Sequence, residues 1–374
     1  MSFHDESLLD LNDSDSAAGH LGPQYDLDAC VALMRGGSKS FFAASKLLPP
    51  RVRSASIALY AFCRVADDVV DEGDDPTEGL RLLRRRLDCI YQGNPENHLE
   101  DHALALVVHQ HTLPRALLDG LLDGFAWDAL GTRYESMEAL HGYCARVAGT
   151  VGAMMAWIMG ARASNTLARA CELGVAMQLT NIARDVGEDA RNGRIDLPLE
   201  WVRAEGLDPL TWLQRPADHP AIRRVVARML EHADALYQQS SQGIADLPRD
   251  CRAAIQAARL IYAEIGHQLV RSGLNSVDQR TVVGSTRKMT LIGQAQLQAV
   301  WDKPSTTSPP PLEGIRFLVE ACQHAAGPTH ALPQGFPNRS ITERILWMIN
   351  LFERLSTERR QQSMVRQTMH YGPG

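Results

Sequence analysis

Residues 60–72 read YAFCRVADDVVDE and residues 178–198 read QLTNIARDVGEDARNGRIDLP, and these two stretches say most about how the chain folds. In each of them, two aspartates stand four residues apart behind an apolar run. The pairs are Asp67 with Asp71 and Asp185 with Asp189. Side chains at positions i and i+4 are neighbours on an α-helix, so each pair would direct two carboxylates the same way. Both stretches are therefore predicted to be helices with an acidic face near the C-terminal end.

Two carboxylates on one helix face repel each other, and near a helix C-terminus they also meet an unfavourable dipole. A single pair of this kind is often an ordinary solvated face, but here two pairs each follow an apolar segment. Mg²⁺ would relieve the repulsion, since it takes one or two protein carboxylates together with phosphate oxygens. Arg64 and Arg184 stand beside the pairs and could donate charge-assisted hydrogen bonds to phosphate. The pattern predicts two bound diphosphate groups, each held with Mg²⁺, for which Mn²⁺ is an alternative.

The rest of the chain also favours helices. Of its 374 residues, 45% are hydrophobic and only 6% aromatic, and no alternating apolar and polar run reaches strand length. The sequence predicts an all-α, single-domain helical bundle with a central cavity and a C-terminal helical tail. The predicted divisions are an acidic leader at 1–24, a catalytic domain at 25–302, a Pro/Ser/Thr linker at 303–312 and a tail at 313–374 with one amphipathic helix after Ser340.

Charge and cysteine usage narrow the class of protein. The formal charge of −6 argues against a nucleic-acid partner, and the seven scattered cysteines form no zinc or redox motif. We expect a cytoplasmic protein. Residues 339–374 carry six Arg against three Glu, which suits a peripheral contact with the inner face of the membrane. Docking of this tail onto the body of the protein is an equal alternative.

Three further segments extend the pattern of the two acidic motifs. They are Ser38-Lys39-Ser40-Phe41 followed by Leu47-Leu48-Pro49, Tyr143-Cys144-x-x-Val147-Ala148-Gly149-x-Val151-Gly152, and the basic stretch from Arg280 to Lys288. With these five motifs in order over roughly residues 22–302, the chain resembles the squalene/phytoene synthase family, and most of all its bacterial phytoene-forming members.

The resemblance implies an isoprenoid synthase bundle and a Mg²⁺-dependent prenyltransferase of carotenoid biosynthesis. Two geranylgeranyl diphosphates would condense head to head, through a cyclopropylcarbinyl (prephytoene) diphosphate, to 15-cis-phytoene with release of diphosphate. No NADPH is expected, because the final cation is quenched by proton loss. A downstream carotenoid desaturase is a candidate partner. The alternatives are a dehydrosqualene or squalene synthase that uses farnesyl diphosphate, and a catalytically inactive relative that acts as an assembly or binding protein.

The resemblance also assigns roles to single residues. The implied metal ligands are Asp67, Asp68, Asp71, Asn181, Asp185 and Asp189. The implied catalytic residues are Asp67, Asp71, Asp185, Asp189 and Tyr143. The implied substrate-binding residues are Ser38, Ser40, Tyr60, Arg64, Gln178, Asn181, Arg184, Tyr262, Arg280 and Lys288. The three tyrosines would offer π faces to carbocations, with ordinary core packing as the alternative for each.

One residue departs from the family pattern. The position between Gly-Arg-Ile and Leu-Pro is usually aromatic in the family, and here it is Asp196. We expect this carboxylate to point away from the cavity or to pair with Arg194 or Arg191. The small residues of the central helix, including Gly149 and Gly152, would either widen a tunnel for prenyl tails or allow close helix packing, and the sequence leaves both open.

Overall fold

The computed structural model describes residues 27–37, 45–71, 75–301 and 309–325, and this part of the chain is helical without any strand. The all-α bundle is thus confirmed. The helices are α1 (Leu27–Gly37), α2 (Pro50–Asp71), α3 (Pro76–Tyr91), α4 (Leu99–His111), α5 (Arg115–Ala129), α6 (Met137–Cys144), α7 (Thr150–Ile158), α8 (Ser164–Arg191), α9 (Leu199–Ala204), α10 (Pro209–Gln214), α11 (Pro220–Ile244), α12 (Arg249–Arg271), α13 (Ser285–Trp301) and α14 (Arg316–Ala325). A π-helical turn, Ala145–Gly149, joins α6 to α7.

The helix ends follow from local sequence chemistry. Proline occupies the first position of α2 and α3, where its missing N–H is not needed. Asp75 caps α3 by accepting hydrogen bonds from the N–H groups of Thr77 and Glu78 at 3.0 and 3.2 Å. Glycine with positive φ follows α3 at Gly93 and α8 at Gly193, where a residue with a Cβ would be strained. These signals define where each of these helices begins or ends.

The 28-residue helix α8 is the centre of the bundle and packs against α7, α11 and α12. Its contact with α7 depends on glycine. A Cβ at Gly152 would lie 2.1 Å from the carbonyl oxygen of Ala170, and one at Gly174 would lie 2.2 Å from that of Ala148. The segment from Ala148 through α7 therefore runs antiparallel to α8, with the two backbones in contact. Of the two interpretations of the small residues, the structure supports close packing at Gly152, which also borders the cavity described below.

The described part of the C-terminal region lies on the body of the protein. Residues 309–325 cross α8, a 3-10 turn at Glu313–Ile315 leads into α14, and α14 packs on α5, α7 and α8. The Arg146 guanidinium lies 4.9 Å from the ring centroid of Phe317. The predicted amphipathic helix after Ser340, the leader at 1–24 and residues 303–308 of the linker lie outside the described residues. Within those described, no helix is both long enough and apolar enough to cross a membrane.

Candidate active site

Five helices surround an apolar cavity of about 500 Å³. Its wall is made by α2, the end of the π-helical turn from Val147 together with α7, and α8, α11 and α12. Two of the predicted acidic-motif residues, Asp67 on α2 and Asn181 on α8, reach its lining together with Gln178. The cavity therefore has a polar end formed by both sequence motifs, and the remaining wall is dominated by aliphatic side chains, Met155 and Met177 among them.

The first motif lies at the C-terminal end of α2. Arg64 donates a hydrogen bond to the Asp67 carboxylate at 3.1 Å and forms a second ion pair with Asp68. All three side chains are about 40% exposed, so this set faces solvent at the cavity entrance. Asp71 is the last residue of α2, and its side chain lies outside the described part of the structure. A guanidinium placed between two carboxylates is suitably located to meet a diphosphate oxygen.

The second motif is the more buried of the two. Arg184 donates to both oxygens of Asp185, at 2.8 and 2.5 Å, and Arg280 donates to the same two oxygens at 2.9 and 3.4 Å. Burial alone would raise the pKa of Asp185, but the hydrogen bonds and charges of the two arginines outweigh it and lower this pKa. Asp185 is therefore an anion between two cations, at a point where a phosphate could replace part of their interaction.

Asn181 and Asp189 complete the α8 set. The Asn181 amide donates to Gln178 Oε1 at 3.5 Å, so both polar groups stay on the cavity side of the helix. Burial and the neighbouring Asp196 charge raise the pKa of Asp189 to about 7. A carboxyl group in this state favours a nearby cation, since a positive charge would restore its ionised form.

The donor set fits a hard divalent cation. The groups that the two acidic motifs supply at the polar end are carboxylate and amide oxygens, which hard cations prefer. In the described ranges, no three or more His, Cys, Asp or Glu side chains gather closely enough to enclose an ion by themselves. A cation at either set would therefore share its coordination shell between protein oxygens and those of diphosphate and water.

Comparison with known proteins places this geometry in a family. A sequence model described as squalene/phytoene synthase matches residues 34–288. The chain belongs to the squalene/phytoene synthase family. A phytoene synthase of Cereibacter sphaeroides is 48% identical over 314 residues, covering 80% of this chain and 88% of that protein. A phytoene synthase of Rhodobacter capsulatus is 45% identical over 308 residues, covering 80% and 91%. The crystal structure of a dehydrosqualene synthase in complex with ligand, 33% identical, superposes with a TM-score of 0.68 and covers 73% of this chain and 95% of its own.

The three tyrosines assigned from the squalene/phytoene synthase resemblance occupy two different places. Tyr60 and Tyr262 line the cavity, and burial raises the pKa of both phenols, so both are neutral. Tyr143 is 3% exposed, its ring stacks on Tyr134 at 5.0 Å, and it is not among the described residues that line the cavity. The structure thus brings two of the three tyrosines to the cavity and places the third in a separate cluster.

That cluster lies behind the second acidic motif and includes a residue that sequence reasoning missed. Asp128 at the end of α5 accepts hydrogen bonds from the Tyr143 hydroxyl at 2.8 Å and from Arg194 at 2.6 Å. Arg194 also pairs with Asp196 at 3.5 Å, which confirms the expected pairing for the residue that replaces the family's usual aromatic side chain. Asp128 could not be found from sequence, because it is a single acid outside any motif.

The remaining predicted residues are the two serines of the N-terminal motif and the two ends of the basic stretch. Ser38 and Ser40 lie outside the described residues. Lys288 is in the first turn of α13, directly after the loop that carries Arg280. That loop crosses the C-terminal end of α8, where Arg191 donates to the Val277 carbonyl oxygen at 3.0 Å. The basic segment is thus anchored next to the second acidic motif.

Proposed function

We propose that this protein is a phytoene synthase, a Mg²⁺-dependent prenyltransferase that condenses two geranylgeranyl diphosphates head to head. The observation that carries the proposal is one apolar cavity with two separate acid-and-arginine sets at the same end. Such a cavity can hold two prenyl tails side by side with both diphosphates at the entrance. The phytoene synthases that match most of this chain support the choice of product.

The first half-reaction needs a diphosphate to leave and an allylic cation to survive. Mg²⁺, held by Asp67, Asp68 and Asp71 at one set and by Asn181, Asp185 and Asp189 at the other, would neutralise the diphosphate oxygens. Arg64, Arg184 and Arg280 donate hydrogen bonds to the same oxygens as negative charge develops on the leaving group. The aliphatic wall excludes water, so the allylic cation is attacked by the double bond of the second prenyl diphosphate. A proton is then lost from C1 of the ionised unit to the released diphosphate, the ring closes, and the cyclopropylcarbinyl diphosphate is formed.

The second half-reaction ionises that intermediate and rearranges it. The faces and phenol dipoles of Tyr60 and Tyr262 border the cavity where the cation forms and can stabilise it. Loss of a proton then gives the central double bond of phytoene, with the released diphosphate as the proposed proton acceptor. Since the cation ends in proton loss, the reaction consumes no reductant and NADPH has no role.

A product analysis tests this function directly. The purified protein with geranylgeranyl diphosphate and Mg²⁺, and without NADPH, is expected to release phytoene and two equivalents of diphosphate, as measured by mass spectrometry and a diphosphate assay. Turnover of farnesyl diphosphate alone would instead favour a dehydrosqualene or squalene synthase. Absence of product from both substrates would favour an assembly protein without activity.

The lipid nature of substrate and product supports a cytoplasmic protein that touches the membrane surface and could pass phytoene to a carotenoid desaturase. We assign the membrane contact to the basic segment 339–374, because its positive charge suits anionic lipids. Cosedimentation with anionic liposomes should fall severalfold when residues 326–374 are deleted, a change that leaves the docked segment 309–325 in place. Equal binding of both chains would contradict this assignment.

A further inference from the structure

A buried ion pair lies at the end of the cavity away from the acidic motifs, and one of its two members lines the cavity. Arg169 is 1% exposed and borders the cavity, and Glu172 is fully buried beside it. The distance between Arg169 Nη1 and Glu172 Oε2 is 3.0 Å. A charged pair in this position is unexpected in a wall that has to contact hydrocarbon, because burying two charges carries a desolvation cost that their attraction has to offset.

The position of this pair corresponds to the far end of a prenyl tail. Arg169 and Asn181 are twelve residues apart on α8, which is about 18 Å along the helix axis. A Cβ at Gly243 would lie only 2.4 Å from the Arg169 Cβ, so α11 is in close contact with the base of this side chain. A tail that enters at Asn181 and runs along α8 would therefore meet the Arg169 side chain.

The pair is fixed by the segment that follows the family's matched region. The Pro309 carbonyl oxygen accepts a hydrogen bond from Arg169 Nη2 at 3.2 Å, and the Leu312 N–H donates to Glu172 Oε1 at 3.0 Å. Burial raises the pKa of Glu172, and the Leu312 hydrogen bond opposes that rise. The matched family region ends at residue 288, so this clamp is supplied by the chain beyond it.

We propose that residues 309–312 and the Arg169–Glu172 pair form a length stop that sets the longest prenyl tail this cavity accepts. This inference rests on the proposed prenyl transfer and adds a specificity element to it. A longer tail would have to push an apolar end against the buried Arg169 guanidinium, which the Pro309 carbonyl oxygen and the Glu172 carboxylate hold in place. Arg169 and Glu172 act here as specificity residues, and the 309–312 main chain acts as a positioning element.

A single substitution can remove one clamp contact without removing a charge. Leu312 has φ of −56°, which proline adopts, so Leu312→Pro deletes the N–H that binds Glu172 and keeps the backbone path. Leu312→Met keeps the N–H and serves as the matched control. With the wild type and both variants, kcat/KM is measured for geranylgeranyl diphosphate and for the C25 prenyl diphosphate that is one isoprene unit longer. We expect Leu312→Pro to raise the C25-to-C20 ratio about tenfold and Leu312→Met to leave it unchanged.

A double variant tests the stop itself. Arg169→Ala with Glu172→Gln removes the bulk of the guanidinium without leaving a lone buried charge, and it should raise the same ratio at least as much. If neither Leu312→Pro nor the double variant changes the ratio while circular dichroism shows both folded, the length stop is overturned. If Leu312→Pro does not fold, the C25-to-C20 ratio of the double variant alone tests the length stop. Failure of the wild type on geranylgeranyl diphosphate would instead count against the proposed function.

Discussion

Asp185→Asn is expected to lower kcat/KM for geranylgeranyl diphosphate by about a thousandfold, since loss of roughly 4 kcal/mol of transition-state stabilisation has that effect. The Asp185 side chain is 15% exposed and accepts hydrogen bonds from Arg184 and Arg280. Its negative charge can hold a cation, and the two arginines beside it can donate to phosphate. Asparagine keeps the shape but removes the charge and one acceptor. We therefore expect a lower kcat together with a higher Mg²⁺ concentration for half-maximal rate.

The matched control is Glu188→Gln on the same helix. Glu188 is 56% exposed and lies 3.7 Å from Arg280. It therefore shares a partner with Asp185, but as a surface ion pair this contact contributes little free energy. Its activity should stay within about twofold of the wild type. A loss of equal size in both variants would mean that the overall negative charge at this end of α8 is what matters. Normal activity of Asp185→Asn with unchanged Mg²⁺ dependence would remove Asp185 from the proposed site.

The parts of this site that sequence could predict are those that depend on neighbours along the chain. The spacing of Asp67 and Asp71, or of Asp185 and Asp189, is a property of one helix turn, and the apolar runs before them indicate where each helix is buried. The meeting of both motifs at one cavity followed only from resemblance to a family. Helix periodicity alone does not say which helices face one another.

The parts that sequence could not predict depend on contacts between distant segments. Arg280 reaches Asp185 across 95 residues, and Arg194 reaches Asp128 across 66. The contact between Arg194 and Asp128 also involves Tyr143, because Asp128 accepts a hydrogen bond from the Tyr143 hydroxyl as well. A tyrosine on a helix carries no local signal that separates a cavity wall from a buried hydrogen-bond network. The pairing of Asp196 with Arg194 was predictable since the two are close in sequence.

Gly187→Ala is expected to be the most damaging change at a residue that carries no functional group. Gly187 is buried in α8 between Asp185 and Asp189, and its N–H donates to the Ser276 carbonyl oxygen at 3.0 Å. An added Cβ would lie 2.0 Å from the Val277 carbonyl oxygen, so either the helix or the loop has to shift. Because this loop also carries Arg280, the shift would withdraw Arg280 from Asp185.

Displacing a catalytic group by about 1 Å can cost a hundredfold in rate, and overpacking of this kind destabilises a protein by about 1–3 kcal/mol. We therefore expect Gly187→Ala to lower kcat/KM up to a hundredfold and to lower the thermal midpoint as well. Gly142→Ala is the control, because a Cβ there would approach no atom closer than 3.8 Å. It should keep full activity and gain slightly in stability from the better helix propensity of alanine. If Gly187→Ala kept wild-type activity and thermal midpoint, the loop would accommodate the added methyl group without moving Arg280. The close approach of the loop to Gly187 would then not be needed to position Arg280 at Asp185.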